Sequence, residues 1–245
     1  MNWQLWRQCR VEREAKGIRP LLASWEKKSH PAQSRLCAYL DEFVAALSPL
    51  PEAPCLYLHM DIDVERDQRL LRDYDLENYL TPLFGRSLLH PGRFVLVSAR
   101  KFVGGGSRVL CGTAERSVQP DERIWDHITL DAGSGTSFPA WKEGVRRSLI
   151  SSEIVAMPPG PVAVRLAWEC SASRNWTQLW KPTGDAMGPV LGERNMANPF
   201  NPDDDRIVDL EFHLNVDNSL RHDVVVGMWW RHASAVLPST VSTRS

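Results

Sequence analysis

The chain has 245 residues, 43% of them apolar, with 29 basic and 30 acidic side chains and a formal charge of −1. That apolar share sustains a real core, in one large domain or two small ones, and argues against a disordered chain. The balanced charge excludes a broadly basic nucleic-acid coat and an acidic tail, so any phosphate-binding face must be local.

Residues 1–28 are charged and rich in tryptophan. Ile18, Leu21, Leu22 and Trp25 stand at helical spacing, while Gly17 and Pro20 suit a short strand equally well, so both readings stay open there. From Pro31 onward, Leu36, Leu40, Phe43, Val44 and Leu47 mark one helical stripe, which ends near Ser48-Pro49. A proline turn leads to a strand over residues 55–60, which delivers the chain into a charged loop, residues 61–73. A helix is predicted from about Asp75 to Gly85. Residues 94–102 and 108–111 then read as a hairpin about the turn Gly104-Gly105-Gly106.

The order recurs in the second half. A strand is expected around residues 124–130, then a helix opened by Pro139 with Trp141, Val145, Leu149 and Ile150 inward. A second proline turn precedes a strand in which Val162, Val164, Leu166 and Trp168 alternate. A helix over residues 176–191 and a long loop, 192–202, reach Asp203-Asp204-Asp205. The alternating residues 210–216 and 224–230 read as a hairpin around Asp217-Asn218-Ser219. At the residue level Asn78 and Gln178, Thr81 and Lys181, and Pro82 and Pro182 pair at one offset of 100. These recurrences predict an α/β (α+β) fold written twice in tandem, residues 1–119 and 120–232, with helices packed on mixed sheets and a frayed tail, 233–245. Two fused copies form a pseudo-dimer, in which one copy is free to lose what the other keeps.

Cys9, Cys37, Cys55, Cys111 and Cys170 are odd in number, far apart and without a C-x-x-C pair. That pattern speaks against a disulfide framework or a zinc site and for a reducing cytoplasm. Residues 1–17 are broken by charges, unlike a signal peptide, and no apolar run approaches the roughly 20 residues of a membrane span. The expectation is a cytoplasmic protein with no membrane partner.

Asp75 and Glu77 stand two residues apart where a polar loop meets a helix, with Asn78 beside them. On extended backbone both carboxylates point to one side, an arrangement suited to a hard cation such as magnesium. Asp61, Asp63, Glu65 and Asp67 alternate with Arg66, Arg69 and Arg72 interleaved, so a solvated charged loop competes with a role as extra ligands. Arg66, Arg69, Arg72, Arg100 and Lys101, with Asn78, are candidates for phosphate contact, and Arg108, Arg146 and Arg147 extend that footprint. Among ten tryptophans, Trp176, Trp180, Trp229 and Trp230 gather around the second motif and its hairpin, where packing competes with stacking on unpaired bases.

The stretch Asp75-Leu76-Glu77-Asn78, after a strand and before a helix, resembles the D-x-D-N motif of the RusA family of Holliday-junction resolvases. Lys181 and Asp185 resemble that family's lysine and aspartate on the motif helix, and Asp203 to Asp209 resembles its later acidic loop entering the hairpin. The resemblance covers most of both halves in element order. It implies a DNA-binding protein derived from a Mg-dependent endonuclease of branched or junction DNA. Asp75, Glu77, Lys181, Asp185, Asp203 and Asp204 would be the catalytic residues, with Asp75, Glu77 and Asp204 as metal ligands. Neither half carries the whole motif. The first has Thr81 in place of the lysine and no later acidic pair, and the second has Asn175 and Thr177 in place of the first acids. The halves therefore either share one composite site or form an inactive fold that binds DNA or a protein partner in a larger assembly.

Overall fold

The computed structural model describes residues 3–18, 20–21, 30–64, 70–72, 75–85, 91–133, 137–195 and 197–233. The expected tail beyond Ala233, Arg66 and Arg69, Glu65 and Asp67 lie outside the described residues. The described elements are β1 (Leu5–Lys16), α1 (Pro31–Leu47), β2 (Leu56–Asp63), α2 (Leu76–Leu80), β3 (Phe94–Phe102) and β4 (Arg108–Ser117). They continue with β5 (Asp126–Asp131), α3 (Phe138–Ser151), β6 (Val162–Cys170), α4 (Trp180–Asp185), α5 (Gly188–Leu191), β7 (Ile207–Val216) and β8 (Val225–His232). Together they make the expected α/β architecture, with helices packed on a mixed sheet. No helix among the described residues is long and apolar enough to cross a membrane.

The eight strands form one sheet in the order β1-β4-β2-β3-β7-β6-β8-β5. From either edge the pattern is the same. An edge strand pairs antiparallel with the last strand of its half, which pairs antiparallel with the strand after the long helix, which pairs parallel with the third. The halves meet where β3 pairs antiparallel with β7. Even an irregularity recurs. The β2–β3 register slips between Leu56 and Tyr57, and the β6–β7 register slips between Val162 and Ala163, each at the first step of the ladder.

Both predicted hairpins are corrected by this topology. β3 and β4 flank β2, and β7 and β8 flank β6, so neither consecutive pair is hydrogen-bonded together. Two alternating runs joined by a tight loop look alike in sequence whether they pair or straddle a third strand. The loop's own contacts explain the straddling. The Asp63 carboxylate at the end of β2 accepts from Gly104 N at 3.0 Å and Gly106 N at 2.8 Å, so the glycine turn is wrapped over that strand end. All three of its glycines have positive φ, near +80° to +99°, where a side chain would be strained. In the second half Asp217 N donates to Cys170 O at 3.0 Å, and Asn218 accepts from Ala172 N at 3.0 Å, over the end of β6.

Other boundaries move for local reasons. Residues 5–16 form a strand, with Trp3, Leu5 and Trp6 buried against the sheet, while Leu22 and Trp25, on which the open helix reading rests, lie outside the described residues. β2 runs on to Asp63, through what reads as loop, because Met60 and Ile62 continue its buried face. The strand expected around residues 124–130 is β5, Asp126–Asp131, and Ile124 before it is 61% exposed. Ile150 is also 55% exposed, because the buried stripe of α3 is Trp141, Val145 and Leu149 alone. The two motif helices are short and broken. Residues 81–85 and 176–179 are 3₁₀ turns, and α4 stops at Asp185 before α5 begins at Gly188.

One sheet face carries the helices and the main core. Leu58, Met60, Val97, Ala99, Val164, Leu166, Leu210 and Phe212 meet Leu40, Phe43, Trp141, Val145 and Trp180 there. Trp168, Trp176, Trp180 and Phe212 interlock edge-on or tilted at centroid distances of 4.7–5.8 Å. Trp176, Trp180, Trp229 and Trp230 are all buried, so of the two readings offered for them the structure has packing. The opposite face is partly covered by the start of β1, whose Trp6 donates to Leu214 O at 2.8 Å.

Candidate functional site

Asp75 caps α2: its Oδ1 accepts from Glu77 N at 3.0 Å, and its carbonyl accepts from Asn78 N at 3.1 Å. The Asn78 amide returns to Asp75 Oδ2 at 2.8 Å. Asn175 caps the second motif helix in the same way, accepting from Thr177 N at 3.3 Å and, through its carbonyl, from Gln178 N at 3.2 Å. The backbone at Asp75 is extended, but Glu77 already lies in the first helical turn, so the cap brings the two acids together rather than a strand.

The folded sheet brings these first-half acids to second-half side chains. Lys181 Nζ lies 3.5 Å from Asp75 Oδ2 and 2.9 Å from Asp185 Oδ1, and Lys142 also pairs with Asp185. From the loop before β7, Arg194 reaches Asp203 at 3.3 Å and Asp204 at 3.4 Å, and pairs with Asp205 as well. Lys101, fully buried on β3, donates to the backbone carbonyl of Asp205 at 2.5 Å. Asp75, Glu77 and Asp204 then line one small cavity of about 10 Å³, walled by Leu166, Trp180, Gly184, Met187 and Phe212. A space of that size admits about one water.

Burial dominates the electrostatics. It raises the Glu77 carboxyl well above the usual range, and the neighbouring Asp75 charge adds to the shift, with Lys181 opposing. Burial also raises Asp75, against the pull of Lys181. Asp204 is pushed up to about 7 by burial and by the charge of Asp75. Lys101 is lowered to about 8 by burial in spite of Asp205, Asp75 and Asp204 nearby. Lys181 goes the other way: burial favours the neutral amine, but Glu77, Asp75 and Asp185 outweigh it and hold the proton.

Two oxygens stand out. Glu77 Oε1 and Asn78 Oδ1 are buried without a hydrogen-bond partner, although buried polar atoms normally have one. Gly184 is what lets the Glu77 carboxylate in, since a Cβ there would stand 2.9 Å from Glu77 Oε2. Hard oxygen donors around an orphaned carboxylate oxygen fit a small divalent cation by chemistry. Among the described residues, no three His, Cys, Asp or Glu side chains already form a group that could hold a metal. A cation here would therefore use one or two carboxylates and complete its shell with water and phosphate, as Mg²⁺ commonly does.

Of the residues singled out from sequence, Asp75, Glu77, Lys181, Asp185 and Asp204 share this cluster, and Asp203 sits on its exposed rim. The phosphate-contact expectations are largely corrected. Lys101 is buried beneath the acids, because Val97, Ala99 and Lys101 alternate on the inward face of β3. Arg100 lies on the opposite sheet face, 2.8 Å from the buried carboxylate of Asp61. Asp61 is thereby also removed as an extra ligand, and Asp63 is spent on the glycine turn. Asn78 is tied to Asp75, and Arg72 is exposed. Arg108, Arg146 and Arg147 are paired with Asp61, Glu193 and Glu143. Sequence reasoning missed Lys142, Arg194, Asp205 and Gly184. Only Asp205 carried a signal, as the third member of the acidic run.

No protein-family model matches the chain, and no curated protein matches it.

Proposed function

We propose that the chain is a RusA-like nucleic-acid-binding protein made of two tandem copies, with a single composite acidic centre that cuts phosphodiesters in branched DNA with Mg²⁺. The reading is carried by one observation: Lys181 of the second half is ion-paired to Asp75 of the first, beside Glu77 and Asp204. Each half thus supplies what the other lacks. Among Asp75, Glu77 and Asp204, which line the same small space, one or two carboxylates would hold the cation, which when bound would activate water and neutralise charge on the phosphate. Lys181, which retains its proton, sits where it can neutralise a phosphate oxygen or the leaving oxygen. Asn78 orients Asp75, and Lys101 and Arg194 fix the backbone and carboxylates of the Asp203–Asp205 run. Five free cysteines accord with a cytoplasmic setting.

A second reading draws on the same cations: Lys142, Lys181 and Arg194 already satisfy most of these acids, as in a RusA fold retained only to bind DNA or a protein partner. Cleavage of a labelled four-way junction, a flap and a linear duplex in Mg²⁺ or Mn²⁺ separates the two. On the composite-site reading, Asp75→Asn and Asp204→Asn each abolish cleavage, leave junction binding intact and combine without further loss. A wild-type protein that binds but cuts none of the three substrates leaves the binding-subunit reading.

A further inference from the structure

The sheet face turned away from the helices carries a hydrogen-bonded chain that the acidic centre does not use. His59 on β2 and Ser98 on β3 are register partners in the parallel ladder, so their side chains stand side by side. His59 Nδ1 is 2.8 Å from Ser98 Oγ, and His59 Nε2 is 3.0 Å from Asp61 Oδ1, two residues along the same strand. Asp61 is 1% exposed and held as an anion by Arg100 at 2.8 Å and Arg108 at 2.7 Å. An ionised carboxylate only accepts hydrogen bonds, so the imidazole proton belongs on Nε2, and Nδ1 presents its lone pair to the serine hydroxyl.

That sequence of groups, acid to imidazole to hydroxyl, is the arrangement that activates a serine, whatever fold carries it. Ser98 also has space in front of it. It borders two pockets of about 250 Å³ each, one lined as well by Gln8, Arg100 and Arg108 and by the acids Asp209 and Glu211. Guanidinium groups in a partly desolvated pocket are suited to an oxyanion formed there.

We propose that Ser98 is the nucleophile of a second site, of esterase type, that takes a small carboxylic ester from this pocket. In the first step the Ser98 oxygen bonds to the carbonyl carbon and its proton passes to His59 Nδ1. The ester C–O bond then breaks, and the departing alcohol takes that proton. Water attacks the acyl-serine, gives a proton to His59, and releases the carboxylic acid as Ser98 regains its hydrogen. Asp61 holds the imidazole in the required tautomer throughout.

The whole chain, treated with a fluorophosphonate probe and mapped by peptide mass spectrometry, is expected to carry the adduct on Ser98. Hydrolysis of p-nitrophenyl acetate by Ser98→Ala and His59→Gln should fall at least about 100-fold. An unlabelled Ser98 in the wild type overturns the proposal, as does ester hydrolysis unchanged in Ser98→Ala. Should that variant not fold, the wild-type mapping decides alone. The acidic centre lies on the other face, so either outcome leaves the nuclease reading untouched.

Discussion

Two turns in this molecule have the same backbone and opposite chemistry. Asp75-Leu76-Glu77-Asn78 and Asn175-Trp176-Thr177-Gln178 each begin a short helix with a side-chain oxygen accepting from the residue two ahead. The cap needs only that oxygen, and Asn175 supplies it without charge. The carboxylate of Asp75 is therefore surplus to folding. Glu77 is costlier still, because its counterpart Thr177 is uncharged and only half-buried, while Glu77 is 4% exposed with an orphaned oxygen. Burying such a group works against stability. A cost that one turn carries and its twin avoids points to a use for the charge.

If the first turn bears that cost, stability should depend on pH through it. The carboxyls of Glu77 and Asp204 are raised in the folded protein, Asp204 to about 7. A raised carboxyl contributes its stability fully below the ordinary carboxylate value. That contribution is lost as pH rises through the folded value. In chelator, wild-type stability should therefore fall between about pH 4 and 7 by up to about 1.4 kcal/mol per pH unit per proton released. Asp204→Asn should flatten that slope, and denaturant titrations across the interval measure it. Equal slopes in the two proteins would place Asp204 outside the titrating cluster.

How much of this was legible beforehand depends on which physical constraint spoke. Helix stripes such as Leu36, Leu40 and Phe43 recur at a fixed period because one face is buried, so α1 and α3 could be read directly. The α/β class followed from the repeated order of elements, whereas the meeting of Asp75 with Lys181 of the second half was one of two outcomes that the split motif left open. Strand neighbours did not, since alternation in residues 94–102 and 108–117 says which face is buried and nothing about β2 lying between them. Nor did the internal cations. Lys142 and Arg194 reach the acids from positions fixed only by tertiary packing. Lys101 reads as a phosphate contact by its charge, but its inward phase on β3 buries it.

The cross-half ion pair offers a sharper test of the same comparison. Lys181→Met keeps the stem of the side chain but leaves Asp75, Glu77 and Asp185 without their shared cation. Removing one partner of a fully buried pair costs about 3–5 kcal/mol. Lys181 is 35% exposed, so a discounted loss of about 2 kcal/mol is expected. Thr81 stands at the corresponding place in the first half, where its hydroxyl donates to Glu77 O at 3.0 Å. Thr81→Val should cost clearly less than Lys181→Met in chemical denaturation. Equal losses would mean that the cation does no more than a helix-turn hydroxyl.

The smallest expected effect is the most direct, because it asks whether the two caps are interchangeable. Asp75→Asn gives the first turn the residue of the second and preserves an oxygen for Glu77 N. It also removes a negative charge beside the desolvated Glu77, while weakening the hold of Lys181. These contributions oppose one another, and the net change in stability should stay within about 0.5 kcal/mol of zero. Asp75→Ala removes the cap oxygen as well, and should cost about 1 kcal/mol. A matching Asn175→Ala should cost about the same, since the hydrogen bonds correspond. If Asp75→Asn instead destabilised as much as Asp75→Ala, the charge would be structural after all, and its absence from the second turn would need another cause.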